Sequence, residues 1–196
     1  MKRNKQKGKM LYIFVEGTDD TKFIDNFFGL KGCFRTRYRK HKCIEYSTGN
    51  TAAKILRKFH LFEQQGHECV LLADDDKVDE VKQFEISSAK ILIANKEIES
   101  WYLAGFSKEF CSKEDIQYIQ KTENIDKEVF DSIAVRRTRN KSNKNNRKEA
   151  DRKTSHIQLM NDLVAQRELY EFEKEVVKNK RSPSLEKFYK HFGLKC

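Results

Sequence analysis

Two short apolar runs that break abruptly into carboxylates constrain this chain most. The first reads Met10-Leu-Tyr-Ile-Phe-Val15 and passes into Glu16-Gly-Thr-Asp-Asp20. The second reads Glu68-Cys-Val-Leu-Leu-Ala73 and passes into Asp74-Asp75-Asp76. An apolar run of this length without alternation predicts a strand buried on both faces. In an open α/β sheet the carboxyl ends of parallel strands share one crevice, and ligands bind there. If the two strands are neighbours, Glu16, Asp20, Asp74 and Asp76 converge. Carboxylates brought together repel unless a cation lies between them, and an all-oxygen donor set suits Mg²⁺ or Mn²⁺.

The pattern around these runs predicts alternating strands and helices. Thr18 is a plausible N-cap, with Asp19 and Asp20 in the first turn of a helix reaching about Phe28. Phe23, Ile24, Phe27 and Phe28 fall on its core face at helical spacing. Cys33–Tyr46 reads as a strand or hairpin with a basic face. Asn50 can cap a helix over about Thr51–Gln65, which buries Ala52, Ile55, Leu56 and Phe59 and ends at Gly66. A short helix over Val78–Phe84 and a strand over Lys90–Ala94 complete a β-α-β-α-β-α-β order. That order predicts an α/β fold, a mostly parallel Rossmann-like sheet with helices on both faces.

The rest reads as helical. Asn95–Ala104 starts a helix, and Ser112-Lys-Glu-Asp115 is a possible capping box for another. Further helices are expected over Lys127–Val135, His156–Lys178 and Ser184–Phe192, the last with Pro183 in its first turn. The expected organisation is a basic tail over 1–9, an α/β core over 10–105, and a helical extension over 106–196 with a basic loop at 136–153.

Charge narrows the partner. The chain of 196 residues carries 40 Lys and Arg against 30 Asp and Glu, a formal net charge of +10. Such a field favours polyanions, nucleic acid before acidic membrane surfaces. Arg35, Arg37, Arg39, Lys40 and Lys42 form one basic group, and Arg136, Arg137, Arg139, Lys141, Lys144, Arg147 and Lys148 a second, almost free of apolar residues. Both are candidate nucleic-acid contacts. An acidic metal pocket within a basic chain is what a phosphodiester-cutting enzyme needs. Such chemistry requires an activated nucleophile and a stabilised leaving oxygen, and one or two divalent ions can supply both.

Cysteine usage points to a reducing compartment. The five Cys are Cys33, Cys43, Cys69, Cys111 and Cys196, an odd number with no C-x-x-C pair. The apolar run after the basic N-terminus is too short for a signal peptide or a membrane span. A cytoplasmic protein with free thiols and no membrane partner is the expectation. Cys33, His41 and Cys43 match no strong zinc spacing. No Gly-x-x-x-x-Gly-Lys-[Ser/Thr] occurs, so the sequence shows no P-loop.

The arrangement strand–Glu16-Gly17-x-x-Asp20–helix, then strand–Asp74-x-Asp76, resembles the Toprim domain over about residues 10–95. That domain is shared by topoisomerases, bacterial primases, a small maturation ribonuclease, recombination mediators and the OLD-family nucleases. The resemblance implies that Glu16 is an acid/base or metal-ligating residue. It implies that Asp74 and Asp76 hold Mg²⁺ or Mn²⁺, one or two ions, with Asp20 assisting. Lys96-Glu97-Ile98-Glu99-Ser100-Trp101-Tyr102-Leu103-Ala104 is similar to a motif in Toprim-like prokaryotic proteins, some in or near the anti-phage branches. Glu97 or Glu99 would then serve a second metal. The nuclease branch uses a late basic residue near the scissile phosphate, and Lys153 is the candidate here.

The chain also departs from the family. Asp76 is followed by Lys-Val-Asp-Glu-Val with no Gly, unlike the maturation ribonuclease and many topoisomerases. It is too short to carry a topoisomerase's tyrosine domain or a primase body. The expectation is a compact metal-dependent nuclease, closest to the OLD family. A role in phage defence beside a separately encoded ATPase is implied by the resemblance alone, and a homo-oligomer is open. Two rivals stand beside it: a non-catalytic nucleic-acid-binding module, and a subunit whose Arg136–Lys153 run docks an acidic partner.

Overall fold

The computed structural model describes residues 9–29, 40–47, 51–96, 98–114, 116–126, 128–130, 132–133 and 181–192, apart from the side chains of 26–29, 99 and 114. The chain divides into two compact units, one spanning Met1–Ala73 with Lys77–Leu92, the other Asp74–Asp76 with Ile93–Cys196.

The expected alternation is present. The elements run β1 (Met10–Val15), α1 (Thr18–Gly29), β2 (Lys40–Glu45), α2 (Ala52–Gln64), β3 (Glu68–Asp74), a 3₁₀ turn (Asp75–Lys77), α3 (Val78–Lys82) and β4 (Ile91–Ala94). The strands form one sheet in the order β2-β1-β3-β4. β1 pairs in parallel with both β2 and β3. Parallel neighbours need a crossover, and α1 and α2 supply the first two. The two apolar runs of the sequence are therefore adjacent strands of a mostly parallel α/β sheet.

Burial explains why β1 is apolar almost throughout. Leu11, Ile13, Phe14 and Val15 are all fully buried. Successive side chains point to opposite faces, so both faces must be covered. One face carries α2: Tyr12 stacks on Phe62 at 4.0 Å between ring centroids, and Phe14 meets Phe59 at 5.1 Å. The other carries α1, whose Phe23 and Ile24 are buried and whose Asp25 reaches His41 of β2 at 2.8 Å. Thr21 Oγ1 donates to Glu45 on that same face at 3.3 Å.

In the first unit, helix starts differ from the sequence expectation in two places. The first helical bond of α1 runs from Thr21 N to Gly17 O, so Gly17 takes the cap position and Thr18 is already helical. For α2, Thr51 stands at the cap with extended backbone and makes no side-chain cap bond. Asn50, the residue expected there, lies outside the described residues.

In the second unit, α4 (Glu99–Ala104), α5 (Lys108–Glu114) and α6 (Pro183–His191) bury a separate aromatic core. Trp101 and Phe188 lie 5.1 Å apart, Tyr102 and Phe130 5.9 Å, and Phe188 and Phe192 4.9 Å. Ser107 caps α5, its Oγ accepting from Phe110 N at 3.0 Å, so Ser112 sits inside that helix and does not open one. Residues 128–130 and 132–133 are helical, within the helix expected over Lys127–Val135. α6 matches its expectation: Pro183 occupies its first turn and Ser182 caps it, accepting from Leu185 N.

Arg181 is a feature that charge patterning does not anticipate. It is buried, yet donates to the carbonyls of Ile119, Ala104 and Phe106. Its guanidinium also lies 4.3 Å from the centre of the Tyr118 ring. The planar fork of donors suits several carbonyls at once, which a Lys could not match. The expected helix over His156–Lys178 lies outside the described residues. No described helix is long and apolar enough to cross a membrane.

Candidate acidic site at the carboxyl ends of the strands

Glu16 follows β1 directly, and its backbone is held firmly. Ser47, just beyond β2, donates both its N–H (3.1 Å) and its Oγ to the Glu16 carbonyl. The next link down, Tyr46 N to Val15 O at 2.9 Å, continues the β1–β2 pairing past the strand ends. The Glu16 side chain is about a third exposed, and Lys77 Nζ lies 3.8 Å from its Oε1. Lys77 belongs to the same unit as Glu16. A cation is thus already beside the first acid of the motif. The sequence reading missed Lys77; its position directly after Asp74-x-Asp76 was the available signal.

Asp20 has a local task. Its Oδ2 accepts from Gly17 N at 3.0 Å, while the Gly17 carbonyl accepts the first helical bond. This is the carboxylate half of a capping box, three residues into the helix. It satisfies a donor that the helix start would otherwise leave unpaired. Gly17 itself is not sterically demanded by the protein: a Cβ there would meet nothing within 4 Å.

Asp74 and Asp76 belong to the second unit. Asp74 ends β3, and its Oδ1 accepts from Ile98 N at 3.0 Å. This bond ties the Asp-x-Asp motif to the Glu97–Trp101 segment. Asp76 lies in the 3₁₀ turn and is exposed. Beyond β4, Lys96 adopts φ +64°, a left-handed conformation unusual for a residue with a Cβ, and its Nζ pairs with Asp126 at 2.7 Å. Glu97 and the Glu99 side chain lie outside the described residues.

The remaining acids on β2 and α1 govern a thiol. Burial and the nearby carboxylates of Asp25, Asp20 and Glu45 push Cys43 far above the ordinary thiol range. At neutral pH the Cys43 thiol therefore keeps its proton. His41 is held by Asp25.

The donor chemistry suits a hard cation, but the described residues do not gather it. Among them, no group of three or more His, Cys, Asp and Glu side chains is close enough to hold a metal ion. Glu16, Asp20 and Asp74 each engage a donor of the protein itself. Of the basic candidates, Lys40 begins β2 and is exposed. Arg35, Arg37, Arg39, Arg136, Arg137, Arg139, Lys141, Lys144, Arg147, Lys148 and Lys153 lie outside the described residues. The chain matches no protein-family model, no curated protein and no solved structure, so its resemblance to Toprim proteins rests on its motifs alone.

Proposed function

We propose that this chain is a phosphodiester hydrolase acting on DNA or RNA, with Glu16, Asp20, Asp74 and Asp76 as its acidic residues and Mg²⁺ or Mn²⁺ as the ion it recruits. One observation carries the reading. β1 and β3 are adjacent and parallel, and each is followed in the sequence by a carboxylate motif. The carboxyl ends of parallel strands are where open α/β folds bind ligands. The net charge of +10 supports a polyanionic substrate. A Toprim nuclease of the OLD type, with a part in phage defence, is the finer form of this proposal.

The second reading is a nucleic-acid-binding module without catalysis. It is favoured by the protein donors that already engage Glu16, Asp20 and Asp74. A structural acid needs no more than such a partner.

The deciding experiment incubates purified protein with plasmid DNA, single-stranded DNA and structured RNA, in Mg²⁺, in Mn²⁺ and in chelator, beside Glu16→Gln. Cleavage that requires the ion and is absent in Glu16→Gln supports the hydrolase. Binding of the same substrates with no cleavage in either ion supports the module.

A further inference from the structure

Five cations of the first unit lie on one side of the sheet, and the sequence reading gathered only Lys40 and Lys42 of them. They are Lys40 and Lys42 on β2, and Lys54, Arg57 and Lys58 on α2.

Register decides where the strand lysines point. Lys40 pairs with Met10 and Lys42 with Tyr12 across the parallel β1–β2 ladder. Side-by-side residues in such a ladder share a face. Tyr12 stacks on Phe62, so this is the face that α2 covers. The alternate residues His41 and Cys43 turn instead to Asp25 of α1. Among the described residues β2 ends the strand order, so Lys40 and Lys42 are exposed beside α2 rather than beneath it.

Helical spacing decides where the helix cations point. α2 buries Ile55 and Phe59 against the sheet. Its Glu63 leans to one flank, pairing with Lys90 just before β4, on the far side of the strand order from β2. Lys54, Lys58 and the exposed Leu61 recur at three- and four-residue steps on the opposite flank, with Arg57 beside them. That flank faces the β2 edge. Among the described residues, none of the five cations is paired with a carboxylate, while the nearby Glu63 and Glu68 are taken up by Lys90 and Lys9.

We propose that Lys40, Lys42, Lys54, Arg57 and Lys58 form one electrostatic track that holds the phosphodiester backbone of a nucleic acid. α2 starts just beyond the carboxyl end of β2 and returns to the amino end of β3, so Lys54 in its first turn lies nearest the strand end that carries Glu16. The track would lead a backbone toward that edge. Contacts of this kind position a polyanion without reading its sequence. The proposal rests on the reading that the partner is nucleic acid; it does not rest on cleavage.

The test uses the full chain in chelator, where nothing is cut. Binding of fluorescently labelled single- and double-stranded DNA and of RNA is measured by anisotropy over a range of salt. The variants are Lys54→Gln/Arg57→Gln/Lys58→Gln and Lys40→Gln/Lys42→Gln, with circular dichroism to confirm folding. Each lost phosphate contact lowers the salt slope by about one. The triple variant is expected to lose about two to three from the slope, and about tenfold or more in affinity at low salt. Unchanged affinity and slope in both folded variants would overturn the track. So would tighter binding of wild type to phosphatidylserine vesicles than to any nucleic acid. If nothing is ever cut yet the slopes fall as expected, the hydrolase reading fails and the track stands. Cleavage with unchanged slopes gives the reverse.

Discussion

The Asp74 carboxylate accepts a hydrogen bond from the backbone N–H of Ile98 at 3.0 Å. The first acid of the Asp-x-Asp motif therefore has a structural role with no ion present. Ile98 is buried, so its N–H has no easy recourse to water. Asp74→Asn keeps a carbonyl acceptor and should change stability by less than about 1 kcal/mol, whereas Asp74→Ala should cost about 1–3 kcal/mol by stranding that donor. Urea unfolding of the two variants checks this. Equal stabilities would mean that the bond contributes nothing.

A double variant separates structure from chemistry. If the acidic residues recruit an ion, Mn²⁺ should raise the melting temperature of wild type by mass action. It should not do so for Asp74→Asn/Asp76→Asn. A shift of equal size in both would remove these two residues from the ion's ligands.

Glu16 and Lys77 form a pair in which both side chains are about a third exposed. Pairs at that exposure contribute little, about 0–1 kcal/mol. Glu16→Gln should therefore leave the unfolding midpoint nearly unchanged while reducing any cleavage by about a hundredfold or more, the scale of a lost proton-transfer group. A large loss of stability would make Glu16 a structural residue and the kinetic result uninterpretable as chemistry.

Trp101 reports on the other unit. It is the only tryptophan of the chain, and its Nε1 donates to Ser184 Oγ at 2.9 Å. Ser184 in turn donates to Glu123, which also accepts from Ser182 Oγ at 2.8 Å. Ser184→Ala leaves a fully buried indole N–H without its acceptor, at a cost of about 1–3 kcal/mol. Trp101 fluorescence during denaturation should show an earlier transition in the variant. An unshifted midpoint would mean that the indole finds another acceptor.

Cys69 gives a pH signature. Burial first, then the Glu63 carboxylate, pushes its thiol up to about 12. A folded-state value above the unfolded one means that the folded chain holds its proton more tightly. The associated stability is complete below the ordinary thiol range, near 9, and is lost as pH rises from there toward about 12. Unfolding free energy should thus fall with pH over that window, and less steeply in Cys69→Ala. Identical slopes would show that Cys69 does not carry the effect.

The strands were legible in the residues themselves. Runs such as Ile13-Phe14-Val15 and Val70-Leu71-Leu72 can only be buried, because each residue faces a covered side of the sheet. The alternation with amphipathic helices then implied parallel pairing. Helix ends were harder, since Gly17 replaced Thr18 as a cap through backbone geometry that composition does not reveal. Likewise Lys77 beside Glu16, and the alignment of Lys40 and Lys42 with one flank of α2, depend on which strand lies next to which.

What the sequence by itself determined is therefore the class: an α/β chain, basic, with two carboxylate motifs after buried strands. Its local patterns suffice because hydrophobic period and charge are properties of neighbouring residues. The tertiary structure decided the strand order β2-β1-β3-β4, the partners of Glu16, Asp20 and Asp74, and the burial of Arg181. Those depend on contacts between residues far apart in the chain, such as Asp74 with Ile98 or Arg181 with Ala104, and no local pattern encodes such pairings.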